Sequence, residues 1–358
     1  YDGYKNNWLY KETIDGIEVW RVKTFVSSNR GITLRILDFL SFMLSSFIFA
    51  FFVRKPNIVI GTSPQFFTVI SSYAISIIKR TPFVFELRDF WPSSVVAVGA
   101  MEKNFVIKVF EKIEVFLYKR ATLIICVTHA FKKILIERGI NESKIKVITN
   151  GVLSSKFRVN SENKIKLELR YNFGDSYVAG YVGTIGMAHD IDNILNASKL
   201  IDEKHNIKIF IAGEGAEKER INNRIKKEKI DNVILGEKIQ NNQIASMLSL
   251  CNISLVSLSD VEDFKHVIPS KIFESMAMGI PIIISMPFGE ATSIIEDNSA
   301  GYVVKPNSPS ELAHAIINAS KVQEKELKLI SENNIKTSEK YDREVLAKKM
   351  LKCLEDIN

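Results

Sequence analysis

At 358 residues the chain is too long for one ordinary hydrophobic core, and its length favours two domains. Hydrophobic residues make up 46% of the sequence and charged residues 25%, which excludes a disordered or fibrous protein. Residues 1–150 contain 21 Lys and Arg against 12 Asp and Glu, whereas the remaining residues contain 27 against 29. The excess positive charge therefore lies in the first half, which predicts an anionic partner there.

Cysteine and histidine spacing argues against a metal protein. Cys126, Cys251 and Cys353 are far apart and form no CxxC pair, which is typical of a reducing compartment without a metal cage. The five histidines are scattered as well, so we expect no metal and no other cofactor. Basic residues are not interleaved with stacking aromatics, so nucleic acid is not an expected partner. An anionic membrane surface or a lipid diphosphate fits the charge better.

The first half alternates short apolar runs with helical patterns, which predicts βαβ units around a parallel sheet. The predicted strands are 17–22, 58–61, 83–87, 123–127 and 145–148, and the predicted helices are about 33–53, 66–79, 105–119 and 129–138.

The segment from Ile36 to Val53 is the most apolar part of the first half. Its 18 residues carry one charge, Asp38, and reach the lower length limit of a membrane span. Three serines dilute the segment and a strand pattern follows almost at once. We therefore expect a helix packed on the sheet with one face near lipid, and a spanning helix is the alternative.

The second half repeats the α/β alternation. Its predicted strands are 177–182, 207–212, 233–235, 253–256, 282–284 and 301–304. Each half is predicted to be doubly wound, and such sheets bind ligands outside the carboxyl ends of their strands. The polar connection from Leu153 to about Ser176 is the predicted hinge, and the last predicted helix runs from Arg343 to Leu354.

The loop after the strand that ends at Val182 has the features of a phosphate site. Gly183 and Gly186 let the backbone approach a ligand, and the next helix points its N-terminus at the same place. A glycine pair after a strand is a weak signal when it stands alone.

The stretch VIPSKIFESMAMGIPIII, from Val267 to Ile284, is the strongest motif. A helix begins near Ser270, and its free N–H groups and partial positive charge suit a diphosphate. Lys271 adds a cation, and Glu274, one turn later, can accept two ribose hydroxyls. The alternative is that Lys271 only extends its stem along the surface and that Glu274 is a solvated helix residue.

The residues PSKIFE followed by MAMGIP resemble the donor-site helix of glycosyltransferase family 4, in its bacterial surface-polysaccharide branch. The segment FVFELRDFWPSS resembles the RDLWP segment of that branch, and TNGV resembles the turn that ends the first domain of the family. The resemblance implies the GT-B fold, in which two Rossmann-like domains face each other across a cleft. It predicts a first domain at 1–165 and a donor-binding domain at 166–339, with a final helix at 340–358 that packs back on the first domain.

The resemblance also implies that the sequence starts inside a family pattern. In relatives, a strand, a glycine-rich loop, a helix and a second strand usually precede a segment like YDGYKNNWLYKETIDGIEVWRV. We therefore expect an N-terminally truncated chain that lacks these parts. A naturally short protein with a processed start is the alternative.

Individual roles follow from the resemblance. Many members have an arginine and a lysine that face the diphosphate, and here these two positions are Thr184 and His189. The residue after His189 is Asp190, where glycine is usual. The resemblance leaves the positive charge to His189 and Lys271. Lys238 and Ile239 correspond to residues that hold the nucleobase through backbone groups.

Three further residues are candidates, Gly213 from its place at a strand end, and His266 and Asp89 from the resemblance. Gly213, in the GEG segment, is a candidate for nucleotide binding, and an ordinary βα turn explains the segment equally well. His266 stands where many members have an acid eight residues before Glu274, so it is a candidate catalytic residue or a loop histidine without a role. Asp89 is the second candidate catalytic residue, and a local ion pair with Arg88 is its alternative.

The resemblance implies a retaining, metal-independent glycosyltransferase that uses a nucleotide sugar as co-substrate, with UDP as the expected nucleotide. Within the branch, transferases of N-acetyl-L-fucosamine are the most similar. We expect a lipid-linked saccharide acceptor in O-antigen or capsule assembly, and a cytoplasmic protein bound peripherally at the inner face of the plasma membrane. The alternatives are a nucleotide-sugar 2-epimerase of the same architecture and a non-catalytic subunit that binds the nucleotide sugar.

Overall fold

The computed structural model describes residues 5–26, 32–91, 105–237 and 241–357. The chain divides into two compact units, Tyr1–Ile148 with Met350–Asn358, and Thr149–Lys349. Each unit contains its own parallel sheet covered by helices. The fold is therefore α/β with two Rossmann-like units, as the alternation of apolar runs and helical patterns predicts.

The first unit is built on four parallel strands in the order β3-β4-β5-β6 within its described residues. The sheet is buried on both faces, with Phe85 and Ile124 on one side and Val84 and Ile125 on the other. Its elements are β1 (Leu9–Ile14), β2 (Ile17–Val22), α1 (Ile32–Ala50), β3 (Val59–Thr62), α2 (Phe66–Lys79), β4 (Phe83–Leu87), α3 (Phe105–Arg120), β5 (Leu123–Cys126), α4 (His129–Glu137) and β6 (Ile145–Val147).

The strand predicted at Ile17–Val22 exists, but its place in a parallel sheet was predicted wrongly. It pairs with β1 as a separate antiparallel hairpin. Asp15 and Gly16 form the tight turn, with φ of 50° and 80°. An Asp-Gly pair between two strands favours such a turn because both of its central residues need positive φ. This Asp-Gly signal is visible in the sequence and indicates that a strand, β1, precedes it.

The second unit contains a six-stranded parallel sheet in the order β12-β11-β10-β7-β8-β9 within its described residues. The strand order reverses between β7 and β10, which pair directly, so ligands are expected at the carboxyl ends of these two strands. The strands are β7 (Tyr177–Val182), β8 (Ile207–Ala212), β9 (Val233–Leu235), β10 (Ile253–Ser257), β11 (Ile282–Ser285) and β12 (Gly301–Val304).

The helices of the second unit cover both faces of this sheet. They are α5 (Ser161–Tyr171), α6 (Ile191–Ser198), α7 (Lys218–Glu228), α8 (Ile244–Leu248), α9 (Ser270–Ala277), α10 (Glu290–Asp297), α11 (Pro309–Ala319) and α12 (Glu324–Lys340). The final helix, α13, runs from Arg343 to Glu355.

The predicted hinge at 153–176 contains helix α5. Asn160 caps the helix by accepting a hydrogen bond from the backbone N–H of Asn163 at 3.0 Å. Leu167 and Tyr171 then pack on the core of the second unit. The compact units divide between Ile148 and Thr149, earlier in the chain than the predicted domain boundary at 165.

The last turns of α13 contribute to the first unit. Met350, Cys353 and Leu354 pack on the face of its sheet formed by Val84, Leu123 and Ile125. The final helix therefore supplies an apolar cover for residues more than 200 positions earlier in the chain.

Candidate active site

The backbone segments at Gly183, Gly213 and Gly215 pack closely together at the carboxyl ends of β7 and β8. A Cβ on Gly213 would lie 1.7 Å from the Gly183 carbonyl oxygen, and a Cβ on Gly215 would lie 2.1 Å from that of Ile185. Both positions have positive φ, as does Gly183 at 144°. Gly183 also receives the stem of Lys271, because a Cβ there would lie 2.4 Å from Lys271 Cε. Only glycine fits these places, so packing alone accounts for Gly183, Gly213 and Gly215.

The turn after Gly183 explains one departure from the family pattern. Gly186 has an ordinary φ of −126°, so the backbone freedom predicted for it is not used. Asp190, in contrast, is left-handed with a φ of 45°. Glycine is usual at this place because it adopts that conformation without strain, and aspartate tolerates it at a cost of about 1 kcal/mol.

Helix α9 begins at Ser270, where the sequence predicts a helix start. Its N-cap is Pro269, which has no side-chain acceptor for the first N–H groups. The helix is held in the core by Ile272, Phe273 and Met276, and this packing fixes the direction in which the opposite face points. Gly279, with a φ of 67°, then ends it. Lys271 and Glu274 are both half-buried on this helix, so Glu274 is less solvated than a surface helix residue.

A hydrogen-bonded chain joins α9 to the glycine loop. Lys271 Nζ donates to the Tyr181 hydroxyl, and that hydroxyl donates to the Thr184 carbonyl oxygen. Lys271 Nζ also lies 3.7 Å from the centroid of the Tyr181 ring. Tyr181 was not singled out in the sequence, because a tyrosine inside an apolar strand reads as core.

Burial changes the charges of these groups. Desolvation lowers the pKa of Lys271 to about 7, with Glu274 opposing the shift. Desolvation and the neighbouring Lys271 lower the pKa of His189 to about 4, opposed by a backbone group of Gly186. Desolvation raises the pKa of Glu274, opposed by Lys271, Arg343 and Ser270. At pH 7 His189 is therefore neutral and Lys271 is about half protonated, so of the two residues to which the sequence analysis assigned positive charge only Lys271 carries part of it in the ligand-free protein.

His266 ends a short 3₁₀ helix, Glu262–His266, and is half-buried. The segment that leads to it is tied to the turn after Gly183. Ser259 donates through its backbone N–H to the Ala188 carbonyl oxygen at 2.9 Å and through its hydroxyl to that of Met187 at 3.2 Å. The loops after β7 and β10 therefore meet where the strand order reverses.

An open pocket of about 300 Å³ lies beside these two loops. Gly186, Asp190 and Ser259 line it together with Asp192 on α6 and Arg220 on α7. Arg220 donates to both carboxylate oxygens of Asp192, at 3.1 and 2.6 Å. The sequence gives no signal for Arg220, since only the tertiary packing of α7 brings it to the pocket.

The remaining predicted residues are placed separately. Asp89 follows β4 in the first unit and is half-buried, and its carbonyl oxygen accepts a hydrogen bond from the Ser63 hydroxyl at 3.1 Å. Lys238 and Ile239, predicted to hold the nucleobase, lie outside the described residues, as does Pro92. Within the described ranges no group of three His, Cys, Asp or Glu side chains could hold a metal ion.

Both units match known glycosyltransferase families. Residues 166–337 match the model described as "Glycosyl transferases group 1", and residues 5–155 match "Glycosyltransferase Family 4". Each of the two Rossmann-like units is thus similar to one glycosyltransferase family model.

Named relatives agree with this class. The chain is 23% identical over 270 residues to the probable glycosyltransferase WbjE of Pseudomonas aeruginosa, covering 74% of this chain and 66% of that protein. It is 30% identical over 178 residues to the capsular polysaccharide biosynthesis glycosyltransferase CapM of Staphylococcus aureus, covering 48% and 44%. The matched region thus spans about half to two thirds of the length of these relatives.

A solved structure supports the fold. Anabaena HepE in complex with UDP-glucose superposes with a TM-score of 0.71 at 16% sequence identity, covering 91% of this chain and 84% of that one.

Proposed function

We propose that the protein is a retaining, metal-independent glycosyltransferase that moves a sugar from a nucleotide-sugar donor to a lipid-linked saccharide. The observation that carries this proposal is the start of α9. There Lys271 and Glu274 are both half-buried one turn apart, beside the close-packed backbone at Gly183 and Gly213. A cation, free N–H groups and an acid in this order match a diphosphate followed by a ribose.

UDP is the proposed nucleotide. HepE, which shares the fold, binds UDP-glucose. The resemblance to transferases of N-acetyl-L-fucosamine makes UDP-N-acetyl-L-fucosamine the first donor to test. CapM, the relative from capsular polysaccharide biosynthesis, supports an acceptor in capsule or O-antigen assembly.

The proposed chemistry rests on the charge that develops on the leaving diphosphate. The N-terminus of α9 and Lys271 would stabilise that charge without a metal ion. His189, neutral at pH 7, would donate or accept a hydrogen bond there. We propose that Asp89 and His266 act near the transferred sugar, and that Lys238 and Ile239 hold the base. In the proposed reaction the acceptor hydroxyl oxygen bonds to the anomeric carbon from the face that the diphosphate leaves, the bond between that carbon and the phosphate oxygen breaks, and the leaving phosphate takes the hydroxyl proton, which gives retention.

We also propose that the protein is cytoplasmic and binds the inner face of the plasma membrane through α1. No helix in the described part of the chain is long and apolar enough to cross a membrane. Helix α1 packs on α2, where the Ser46 and Ser71 hydroxyls lie 3.2 Å apart. Its other face exposes Leu37, Leu44 and Ile48.

This apolar face is bordered by positive charge. Phe52 is 72% exposed just beyond α1, and Arg54 and Lys55 follow it on the surface. An exposed apolar ridge with adjacent cations suits the headgroup region of an anionic bilayer.

The proposed function is tested by incubating the full chain with UDP-sugars and a lipid-diphosphate saccharide in the presence of EDTA. Mass spectrometry is expected to show an acceptor that is heavier by one sugar, and NMR is expected to show an unchanged anomeric configuration. Conversion of the UDP-sugar to its 2-epimer without acceptor would identify the epimerase instead. UDP binding without any product would favour the non-catalytic subunit.

A further inference from the structure

The second unit contains a fully buried tyrosine whose hydroxyl reaches the proposed donor site. Tyr181 lies on β7, has no exposed surface, and packs its ring among the core residues of the sheet. Burial of a hydroxyl costs free energy unless it is hydrogen-bonded, and here it has two partners. It accepts from Lys271 Nζ and donates to the Thr184 carbonyl oxygen.

This arrangement determines where the lysine head lies. The Lys271 stem crosses Gly183, where the missing side chain leaves it room. Without a hydrogen bond at its end, such a flexible stem would sample several rotamers, and ordering it on binding would cost free energy. The Tyr181 hydroxyl holds Nζ over the loop before a ligand arrives.

We propose that Tyr181 is a positioning residue for the diphosphate of a nucleotide sugar. Its hydroxyl fixes the Lys271 ammonium, which receives the diphosphate, and holds the loop after β7 through the Thr184 carbonyl group. The inference deepens the proposed function and rests on it. It adds a residue to which neither the sequence motifs nor the comparisons assign a role.

The charged surroundings of Lys271 make the contact measurable. Tyr181 faces it from β7, His189 from the turn after β7, and Glu274 from α9 itself. With His189 neutral, Glu274 opposes the desolvation that lowers the pKa of Lys271 to about 7. The hydrogen bond that the Tyr181 oxygen accepts from Nζ also favours the protonated lysine, because a charged donor makes the stronger bond. Loss of the tyrosine oxygen would therefore lower the pKa of Lys271 further.

The test compares Tyr181→Phe with Tyr177→Phe in the full chain. Tyr177 lies on the same strand, and its buried hydroxyl has no hydrogen-bond partner among the described residues. UDP affinity is measured by calorimetry from pH 6 to 9, a range that contains the Lys271 pKa of about 7, and the ionisation of the terminal phosphate of UDP is measured separately and corrected for. In parallel, the ¹⁵N signal of Lys271 Nζ is titrated in the ligand-free protein.

Tyr181→Phe is expected to weaken UDP binding about threefold to tenfold at pH 7.5, and to shift the pH at which affinity falls to lower values. The Lys271 titration is expected to move in the same direction, and Tyr177→Phe is expected to match the wild type in both measurements. A purely structural role would lower the melting temperature of the variants and leave both pH profiles unchanged.

Two outcomes would overturn the inference in distinguishable ways. If the wild type binds UDP and Tyr181→Phe shows the same affinity and pH profile, the positioning role is wrong and the proposed function stands. If the wild type binds no UDP at any pH, the proposed function itself fails, and the role of Tyr181 in receiving a diphosphate fails with it.

Discussion

The Gly213 backbone lies against the Gly183 carbonyl group so closely that a Cβ on Gly213 would stand 1.7 Å from that oxygen. Gly213→Ala is therefore expected to push apart the loops that follow β7 and β8. The backbone strain and the overlap together should cost about 3 kcal/mol or more of the free energy of unfolding. Denaturant unfolding measures this loss, and UDP binding should fall with it because Gly183 lies in the proposed site.

A matched control separates strain from overlap. Gly174 also has positive φ, at 58°, but a Cβ there would meet nothing within 4 Å. Gly174→Ala is expected to cost only about 1 to 2 kcal/mol, the price of the left-handed conformation. Equal losses in the two variants would contradict the assigned overlap.

Glu274→Ala tests the proposed contact with the ribose. Glu274 is half-buried, and a carboxylate that accepts hydroxyl hydrogen bonds contributes about 1.5 to 3 kcal/mol, so UDP affinity should fall by about that amount. Calorimetry provides the measurement, with Glu332→Ala on the exposed side of α12 as the control. Unchanged affinity in Glu274→Ala would reject the assignment.

Lys271 is expected to destabilise the ligand-free protein. Its pKa is lowered to about 7, so between pH 7 and the ordinary lysine value the unfolded chain binds more protons than the folded one. Stability from this group therefore rises with pH through that range and is lowest below pH 7. Lys271→Met should raise the melting temperature most at pH 6, and the gain should vanish near pH 10.

The same Lys271→Met variant should bind UDP far more weakly, because the charge is lost. Lys227→Met, on the exposed face of α7, serves as the control and should change neither property. A uniform gain in melting temperature at all pH values would point to better apolar packing instead of the removal of a buried charge.

How much could be predicted from the sequence differs between elements and contacts. The strands of the second unit were predicted within one residue, since a buried parallel strand is a continuous apolar run. Lys271 and Glu274 could be proposed as site residues from the sequence because a helix start and an acid one turn later are local features. Tyr181 and Arg220 were not singled out, since each makes its contact with a partner far away in the sequence.

Helix α5 was missed for a different reason. It is polar along most of its length, and only Leu167 and Tyr171 pack on the core, so its apolar periodicity is weak. The hairpin β1–β2 was misplaced because one alternating strand reads the same in a hairpin and in a parallel sheet, and only the Asp-Gly turn distinguishes them.

Asp190→Gly is expected to stabilise the protein. The φ of 45° at Asp190 is strained for a residue with a Cβ, and its buried Oδ2 has no partner among the described groups. Removing both costs should add about 1 kcal/mol to the free energy of unfolding. Asp190→Ala removes the carboxylate and retains the strain, so it should be the less stable of the two variants in denaturant unfolding. The reverse order would show that the positive φ at this position carries no strain, and a loss of stability in both variants relative to the wild type would show that the carboxylate supports the turn.

Ile48→Glu tests the proposed membrane face. Ile48 is 55% exposed on α1, and burying its side chain in the headgroup region would contribute about 1 to 2 kcal/mol. Replacement by glutamate removes this gain and adds repulsion from anionic lipid, so binding to phosphatidylglycerol vesicles should fall by about tenfold or more. Sedimentation with these vesicles, and with phosphatidylcholine vesicles for comparison, measures the effect.

Leu329→Glu is the matched control for Ile48→Glu. Leu329 is 57% exposed on α12 in the second unit, so here too a carboxylate replaces an exposed apolar side chain. Because the basic excess lies in residues 1–150, binding should require anionic lipid and weaken as salt screens the charges. An equal loss of binding in both variants would mean that the whole apolar surface of the protein, and not α1, attracts the vesicles. Equal binding to phosphatidylglycerol and phosphatidylcholine vesicles would exclude a contribution from the charges of Arg54 and Lys55.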